Sequence, residues 1–312
     1  MKRLADAIGT LSATELTAVK KALAKRERGV EAELVEAEMV AAVKACPHCQ
    51  SKALLSAGSK GGRRRFRCND CGKSFNGLTG TPLAGLHHPD KFLANARQMI
   101  AGETVRNTAD ALGVAKNTAF HWRHRFLEAI DTMQPKKLTG VVEADETYFL
   151  ESYKGQRKGI PRKSKVRGTP AKKPGLSAEQ IPVLVARERT SGATLTAVLP
   201  SRKGKDIAKV LAPKLSMDTV LMTDGATAYN AVAKAKEGVE VRAVPPNPKH
   251  KTSGPNHINN VNSYDTRLKG WMFRFRGVAT KNLPHYLGWH RWLEAHKGKS
   301  LALAFLSDSA KS

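Results

Sequence analysis

The chain has 312 residues and a formal net charge of +26 at pH 7, and 41% of its residues are hydrophobic. This apolar content is that of a folded protein, so the composition excludes disorder of the whole chain, and the length favours two or three domains. So large a positive charge destabilises a compact chain by self-repulsion, which indicates a polyanionic partner. Nucleic acid is the first candidate, and a membrane surface is the second.

Several features of the sequence bear on the compartment. No apolar run approaches the roughly 18 residues of a membrane-spanning helix. Polar residues follow the start Met1-Lys2-Arg3-Leu4, so no secretory signal is predicted. The four cysteines all lie between Cys46 and Cys71, and they fit a reducing compartment if they bind metal. We therefore expect a cytoplasmic protein without a membrane partner.

Residues 1–44 are predicted to be helical. Ser12-Ala13-Thr14-Glu15 has the pattern of a capping box, and apolar residues follow it at helical spacing. A second amphipathic stretch begins after Gly29. The favoured prediction is a helical hairpin that serves packing, and no function is assigned to it.

Two Cys-x-x-Cys pairs predict a zinc ribbon at residues 45–80. Cys46 and Cys49 form the first pair, and Cys68 and Cys71 form the second. Four thiolates at this spacing can close a tetrahedral zinc site, which is structural because no coordination position remains for water. The alternative is that the cysteines are accidental or redox-active.

The predicted hairpin of this ribbon is strongly basic. Arg63, Arg64 and Arg65 stand at its centre, where their side chains could lie along the phosphates of a nucleic acid. The alternative is a solvated basic turn, because runs of charge are usually exposed faces.

Residues 87–131 are predicted to contain a helix-turn-helix. Two amphipathic helices can be read around Gly113, and a glycine at the turn is typical of this motif. The side chains expected to point away from the apolar stripe of the second helix, towards bases and phosphates of DNA, are Lys116, Asn117, His121, Arg123 and Arg125. An ordinary helical hairpin is the alternative.

After a linker at residues 131–139, residues 139–295 alternate between strand and helix patterns in the order β-β-β-α-β-α-β-α. The first strand is predicted at Val141 to Phe149, and the last helix is predicted from about Asn256. Residues 154–173 are predicted to be a mobile basic loop within this region. Residues 296–312 are predicted to be a tail, and no role is assigned to it.

Polar residues stand at corresponding places in these elements. Asp145 lies within the first strand, Asp224 directly follows the fourth, and Asn262 lies in the last helix. In a ribonuclease-H-like sheet the first and fourth strands are neighbours, so both aspartates are expected at one edge. Their oxygens suit Mg²⁺ or Mn²⁺, and two such ions can support in-line phosphoryl transfer. Lys269, two turns after Asn262, could contact the phosphate.

Each of these residues also has an ordinary interpretation. Asp145 could belong to a charged strand end, and Asp224 with Gly225 could form a common turn. Asn262 is the weakest member, because asparagine often bonds locally. Asp265, three residues further along the helix, is a substitute carboxylate.

Several motifs together resemble the bacterial insertion-sequence transposases of the DDE superfamily, in the subgroup with an N-terminal zinc ribbon. The similar segments are Cys68-x-x-Cys71-Gly72-Lys73-Ser74-Phe75, Thr79-Gly80-Thr81-Pro82, Val142-Glu143-Ala144-Asp145-Glu146-Thr147-Tyr148, Thr223-Asp224-Gly225-Ala226-x-x-Tyr229 and His257-x-Asn259-x-Val261-Asn262-Ser263. They span about Cys46 to Trp292. In that family the third metal-binding residue is glutamate, asparagine or histidine, and Asn262 occupies this place here.

The resemblance implies a multidomain α+β chain, in which a zinc ribbon and a helix-turn-helix precede an α/β ribonuclease-H-like catalytic domain. It implies an enzyme that binds terminal inverted repeats, cleaves them with water and joins the freed 3′-hydroxyl ends to target DNA. Asp145, Asp224 and Asn262 would bind Mg²⁺ or Mn²⁺, and Lys269 corresponds to the family's lysine. A homo-oligomer on double-stranded DNA is expected, because two transposon ends must be held together. The alternative is a DNA-binding regulator that no longer cleaves.

Overall fold

The computed structural model describes residues 10–156, 158–163, 177, 179–244, 254–297 and 302–311, except for the side chains of residues 24, 25, 27, 28, 31 and 32. The chain divides into two compact units. One comprises Met1–Ala129 with Ser300–Ser312, and the other comprises Ile130–Lys299, each as far as it is described. The finer divisions predicted from the sequence remain predictions.

The first unit begins with one long helix, α1 (Ala13–Ala41), capped by Ser12. The predicted capping box is confirmed, because the Glu15 N–H donates to Ser12 Oγ and the Ser12 N–H donates to the Glu15 carboxylate. The predicted helical hairpin is wrong, because α1 continues through Gly29. A glycine inside a helix costs only about 1 kcal/mol relative to alanine. Burial of Val35 and Met39 in later turns outweighs that cost.

A small antiparallel sheet follows α1, with its three strands in chain order. The strands are β1 (Leu54–Lys60), β2 (Arg63–Cys68) and β3 (Ser74–Asn76). Cys46, Cys68 and Phe75 are the buried residues of its core. The sheet approaches α1 closely, since a Cβ atom at Gly77 would lie 2.6 Å from the carbonyl oxygen of Met39.

Three helices continue the first unit. They are α2 (Phe92–Ile100), α3 (Val105–Leu112) and α4 (Lys116–Thr132), whose residues up to 129 belong to this unit. The predicted pair of helices around Gly113 is confirmed, and Gly113 ends α3 with a left-handed φ of 58°. The rings of Trp122 and Phe126 pack edge-on against Phe92, with centroids 5.7 and 5.5 Å away.

The second unit is built on a five-stranded sheet. Its strands are β4 (Val141–Leu150), β5 (Gln180–Glu188), β6 (Thr194–Val198), β7 (Val220–Thr223) and β8 (Glu240–Ala243). Their order across the sheet is β6-β5-β4-β7-β8, with antiparallel pairing of β4 to β5 and β5 to β6 and parallel pairing of β4 to β7 and β7 to β8. The central strand β4 therefore has β7 as its parallel neighbour.

Four helices are described in the second unit, of which the first three follow the predicted order and the fourth was not predicted. They are α5 (Gly204–Leu211), α6 (Asn230–Ala235), α7 (Asn259–Phe273) and α8 (Leu283–Ala295). One face of the sheet packs with α5 and α6 in a core that includes Val142 and Ala144. Helix α7 contacts β4 and β5, and α8 contacts β6 and α7.

The last helix, α9 (Ala302–Ser309), belongs to the first unit and contacts α2. Part of the predicted tail is thus a packed helix, with Phe305 and Leu306 fully buried. Of the predicted basic loop, residues 157 and 164–173 lie outside the described residues. Lys154 at its start donates hydrogen bonds to the carbonyl oxygens of Phe275 and Gly277. Within the described part of the chain, no helix has both the length and the apolar character that crossing a membrane requires.

Candidate active site

The four cysteines form a compact cluster in the first unit. All four Sγ atoms lie within 4.8 Å of one another, with Cys46 and Cys71 3.7 Å apart and Cys49 and Cys68 3.5 Å apart. A tetrahedral zinc ion with bonds of about 2.3 Å holds its sulfur ligands about 3.8 Å apart, so the cluster fits zinc. The backbone N–H of Cys71 lowers the pKa of the Cys68 thiol, which favours the thiolate that a metal requires.

The basic hairpin places its arginines on different sides of β2. Arg63 and Arg65 line a cavity of about 210 Å³ together with Lys60, and Ser74, Asn76 and Thr79 add polar groups to its wall. Arg64 alternates to the other side and is exposed, with its guanidinium 5.9 Å from the centre of the Phe66 ring. The cavity thus combines three cations with hydrogen-bonding side chains, a lining that suits phosphate oxygens.

The start of α4 carries those predicted DNA-contacting residues that are exposed. Lys116, Asn117 and His121 are all exposed. Phe120 is also exposed, at 41%, although sequence reasoning did not single it out. The available signal was its position four residues after Lys116, on the polar side of a helix whose buried stripe contains Trp122.

The predicted orientation of Arg123 is wrong. Its side chain is only 2% exposed and donates to the carbonyl oxygen of Glu103, so it holds the start of α3 instead of facing solvent. Arg125 is half-buried and donates to the carbonyl oxygens of Pro82 and Ala84. Both arginines thus bind backbone carbonyl oxygens of the first unit instead of offering their guanidinium groups to DNA.

In the second unit, Asp145 lies within β4 and Asp224 directly follows β7, the parallel neighbour of β4. The last paired residues of β4 and β7 are Glu143 and Met222, so each aspartate lies two residues beyond the same rung. Asp145 accepts a hydrogen bond from the Glu146 N–H at 2.8 Å, and Asp224 accepts one from the Ala226 N–H at 2.9 Å. The predicted adjacency of the first and fourth strands is confirmed.

The electrostatics of this edge favour a cation. Burial raises the pKa of Asp145, and the negative charge of Asp224 raises it further, while Lys269 lowers it. Burial also raises the pKa of Glu146, and the negative charges of Asp145 and Asp224 raise it further. Carboxylates that repel one another in a partly buried place are stabilised by a divalent metal.

Helix α7 carries three candidate groups, of which Asp265 and Lys269 lie close enough to Asp145 for their charges to interact with it. Asp265 is only 7% exposed, and its Oδ1 atom is buried with no hydrogen-bond partner among the described residues. Burial and, to a smaller extent, the charge of Asp145 raise the pKa of Asp265 to about 7. Lys269 is exposed, and its positive charge lowers the pKa of Asp145 and of Asp265. Asn262 is exposed one turn before Asp265.

The carboxylates of the second unit are less closely grouped than the sulfur atoms of the four cysteines. Among the described residues, the four cysteines are the only group of three or more metal-ligating side chains with mutually close ligand atoms. Asp145, Asp224 and Asp265 do not form such a group. Their residue types and charge fit Mg²⁺ or Mn²⁺, both of which prefer oxygen ligands.

Comparison with known proteins gives a family and a relative. Residues 137–293, half of the chain, match the ISXO2-like transposase domain. A protein of the transposable element ISH50 from Halobacterium salinarum, itself uncharacterised, is 28% identical over 247 residues, which cover 78% of this chain and 82% of that protein.

Two solved structures show distant similarity. One is an intasome of simian T-cell lymphotropic virus in complex with PP2A regulatory subunit B56 gamma, at 12% identity and a TM-score of 0.31 over 66% of this chain and 76% of that one. The other is a pre-cleavage Mos1 transpososome, at 10% identity and a TM-score of 0.22 over 70% and 79%. These scores are too low to support a fold assignment. The family match covers half of the chain, and the chain therefore belongs to the ISXO2-like transposase family of insertion-sequence transposases of the DDE type.

Proposed function

We propose that this chain is a divalent-metal-dependent DNA transposase that binds the terminal inverted repeats of an insertion sequence, cleaves a strand at each end and joins the freed end to target DNA. The observation that carries the proposal is that Asp145 and Asp224 lie two residues beyond the same rung of the parallel pair β4 and β7, with Lys269 close enough to lower the pKa of Asp145. The five-stranded order β6-β5-β4-β7-β8 supports a ribonuclease-H-like catalytic domain.

Each residue of the site has a proposed role. The divalent metal would be held by Asp145, Asp224 and Asn262. Asp265 is a buried carboxylate close to Asp145. The metal, when bound, lowers the barrier by polarising the phosphate and stabilising the oxygens that attack and leave. Lys269 neutralises charge on a non-bridging phosphate oxygen.

The reaction consists of two phosphoryl transfers. Water attacks the phosphorus at the transposon end, and the 3′-oxygen leaves as a hydroxyl. That hydroxyl then attacks a phosphodiester of the target, whose own 3′-oxygen leaves. The number of phosphodiester bonds is unchanged in the second step, so it needs no external energy source.

Double-stranded DNA is the proposed partner of the first unit. The cavity lined by Lys60, Arg63 and Arg65 supports it, as does the exposed start of α4 with Lys116, Asn117 and His121. The net charge of +26 of the whole chain supports a polyanionic partner in general. Zinc at the four cysteines would hold the ribbon that presents this cavity. The chain would act as a homo-oligomer on DNA, in the cytoplasm and on the nucleoid.

A DNA-binding regulator without cleavage activity is the second candidate function. Its binding surfaces would be the same, so only the carboxylates distinguish the two. Asp145 and Asp224 would repel phosphates in the absence of metal, and a protein that only binds DNA gains nothing from keeping them at this edge.

The test is cleavage of a duplex that carries the element's inverted repeat, with and without Mg²⁺ or Mn²⁺. The parent chain should nick the duplex only when metal is present, and Asp224→Asn should not nick it although it still binds. Asp218→Asn is the matched control, because Asp218 is an exposed aspartate just before β7, at the opposite end of the strand from Asp224. Tight binding without metal-dependent nicking by the parent chain would favour the regulator.

A further inference from the structure

A fully buried carboxylate joins the central strand to the start of α7. Glu143 is 0% exposed, and its Oε2 atom accepts hydrogen bonds from the backbone N–H groups of Asn260 and Val261 at 2.7 and 3.1 Å. Its Oε1 atom accepts from the Asn260 side chain at 2.9 Å. Because the first N–H groups of a helix lack partners within the helix, Glu143 supplies from another element the cap that the residues of α7 do not provide.

Arg189 extends this contact to the segment that leads into α7. Its Nε donates to Glu143 Oε1 at 2.9 Å. Its two terminal nitrogens donate to the carbonyl oxygens of Pro255 and His257 at 2.8 and 3.0 Å. The imidazole of His257 lies 3.3 Å from Glu143 Oε1. Both carboxylate oxygens of Glu143 thus accept hydrogen bonds, and the positive charge of Arg189 offsets the negative charge of this fully buried side chain.

Glu143 also shares a face of β4 with Asp145. Side chains alternate along a strand, and the neighbouring Val142 and Ala144 belong to the core that packs with α5 and α6 on the other face. Glu143 and Asp145 therefore face the side of the sheet on which α7 packs. The residues that Glu143 holds, Asn260 and Val261, directly precede Asn262 in the chain.

We propose that Glu143 is a positioning residue that fixes the rotation and height of α7 against β4, and so places Asn262, Asp265 and Lys269 opposite Asp145. Arg189 acts with it by holding the backbone that enters the helix. The inference rests on the proposed function for its catalytic consequence, but the fixing of α7 is a property of the metal-free chain. Loss of groups that orient metal ligands typically costs about 10- to 100-fold in metal affinity or activity.

The test compares Glu143→Gln with Glu188→Gln in the full chain. Glutamine keeps the size of Glu143 but replaces one accepting oxygen by an NH₂ group, which cannot accept from the helix N–H groups or from Arg189. Glu188 is the matched control, because it pairs with Val142 on the neighbouring strand and accepts from the Thr139 N–H, away from α7.

Three readouts separate positioning from stability alone. In folded Glu143→Gln, the amides of Asn260 and Val261 should exchange hydrogen about 10-fold faster, and the Mn²⁺ concentration for half-saturation, measured by titration with the metal alone, should rise about 10-fold. Cleavage of the inverted-repeat duplex should fall about 10- to 100-fold, with DNA affinity unchanged. Glu188→Gln should match the parent in all three.

Unchanged amide exchange and unchanged Mn²⁺ affinity in folded Glu143→Gln would overturn the inference. If that variant does not fold, Arg189→Lys should give the same pattern more mildly, because it keeps the charge but loses the contacts to Pro255 and His257, and parent-like values in it would equally overturn the inference. A parent chain that never cleaves would contradict the proposed function instead, and amide exchange would still decide the role of Glu143.

Discussion

At the scale of single residues, Asn262 and Asp265 compete for the third position of the candidate site. Asn262 occupies the place that the family resemblance implies, whereas Asp265 is buried and raised in pKa by the charge of Asp145. Asn262→Ala should lower metal-dependent cleavage by roughly 10- to 100-fold. Asn262→Glu should keep activity, because glutamate offers the same oxygen with added charge. Near-normal cleavage by Asn262→Ala, together with loss of cleavage in Asp265→Ala, would assign the position to Asp265.

The buried carboxyl of Asp265 also predicts a pH dependence of stability. Burial, with a smaller contribution from the charge of Asp145, raises its pKa from 3.8 to about 7, so between these values the folded chain binds a proton that the unfolded chain has lost. Stability without metal should therefore fall as pH rises towards 7 and stay low above it, and Asp265→Asn should escape this loss. Urea unfolding should show Asp265→Asn gaining roughly 2 kcal/mol relative to the parent between pH 5 and pH 8. A difference between the two proteins that does not change with pH would contradict this assignment.

The sequence was sufficient to predict the neighbouring aspartates but not the depth of Asp265. The proximity of Asp145 and Asp224 follows from strand order, since β4 and β7 are parallel neighbours. Which residues of α7 face that edge depends on the rotation of the helix about its axis. That rotation is fixed by contacts such as those of Glu143, which are distant in the chain and have no local pattern.

At the scale of elements, the ribbon should depend on zinc. Cys68→Ser or removal of zinc by a chelator should unfold residues 46–75, because Cys46 and Cys68 are central to a very small core. The end of α1 should loosen with it, since Met39 packs closely on Gly77. The second unit should stay folded. Hydrogen exchange and metal analysis check this, and freshly purified protein without stoichiometric zinc would contradict it.

The start of α4 should determine sequence preference. Asn117→Ala and Phe120→Ala should each reduce discrimination between the inverted repeat and unrelated DNA by about 1–3 kcal/mol, because amide and apolar groups read base edges and thymine methyl groups. Glu128→Ala, an exposed change three turns further along α4, is the control and should leave the preference intact. Competition binding measures the ratio. An unchanged ratio in Asn117→Ala would show that α4 does not read bases.

Two errors at this scale have a common physical cause. A helix break at Gly29 and an outward-facing Arg123 are what the local sequence predicts. Tertiary packing overrides both predictions. Burial of Val35 and Met39 stabilises the later turns of α1. The guanidinium of Arg123 is buried and donates a hydrogen bond to the carbonyl oxygen of Glu103. The alternation of Arg63, Arg64 and Arg65 about β2, by contrast, follows directly from strand geometry.

At the scale of the whole molecule, a strongly basic chain carries a small acidic edge in its second unit. The net charge of +26 attracts DNA, and Asp145 with Asp224 repels it unless a cation is present. The most direct test of this account is strand joining: a duplex with a free 3′-hydroxyl at the inverted-repeat end is incubated with target plasmid and Mg²⁺. The parent chain should join the end to the plasmid, and Asp145→Asn should bind both DNAs without joining them. A parent chain that binds the end duplex but yields no joined product with Mg²⁺ or Mn²⁺ would contradict the account.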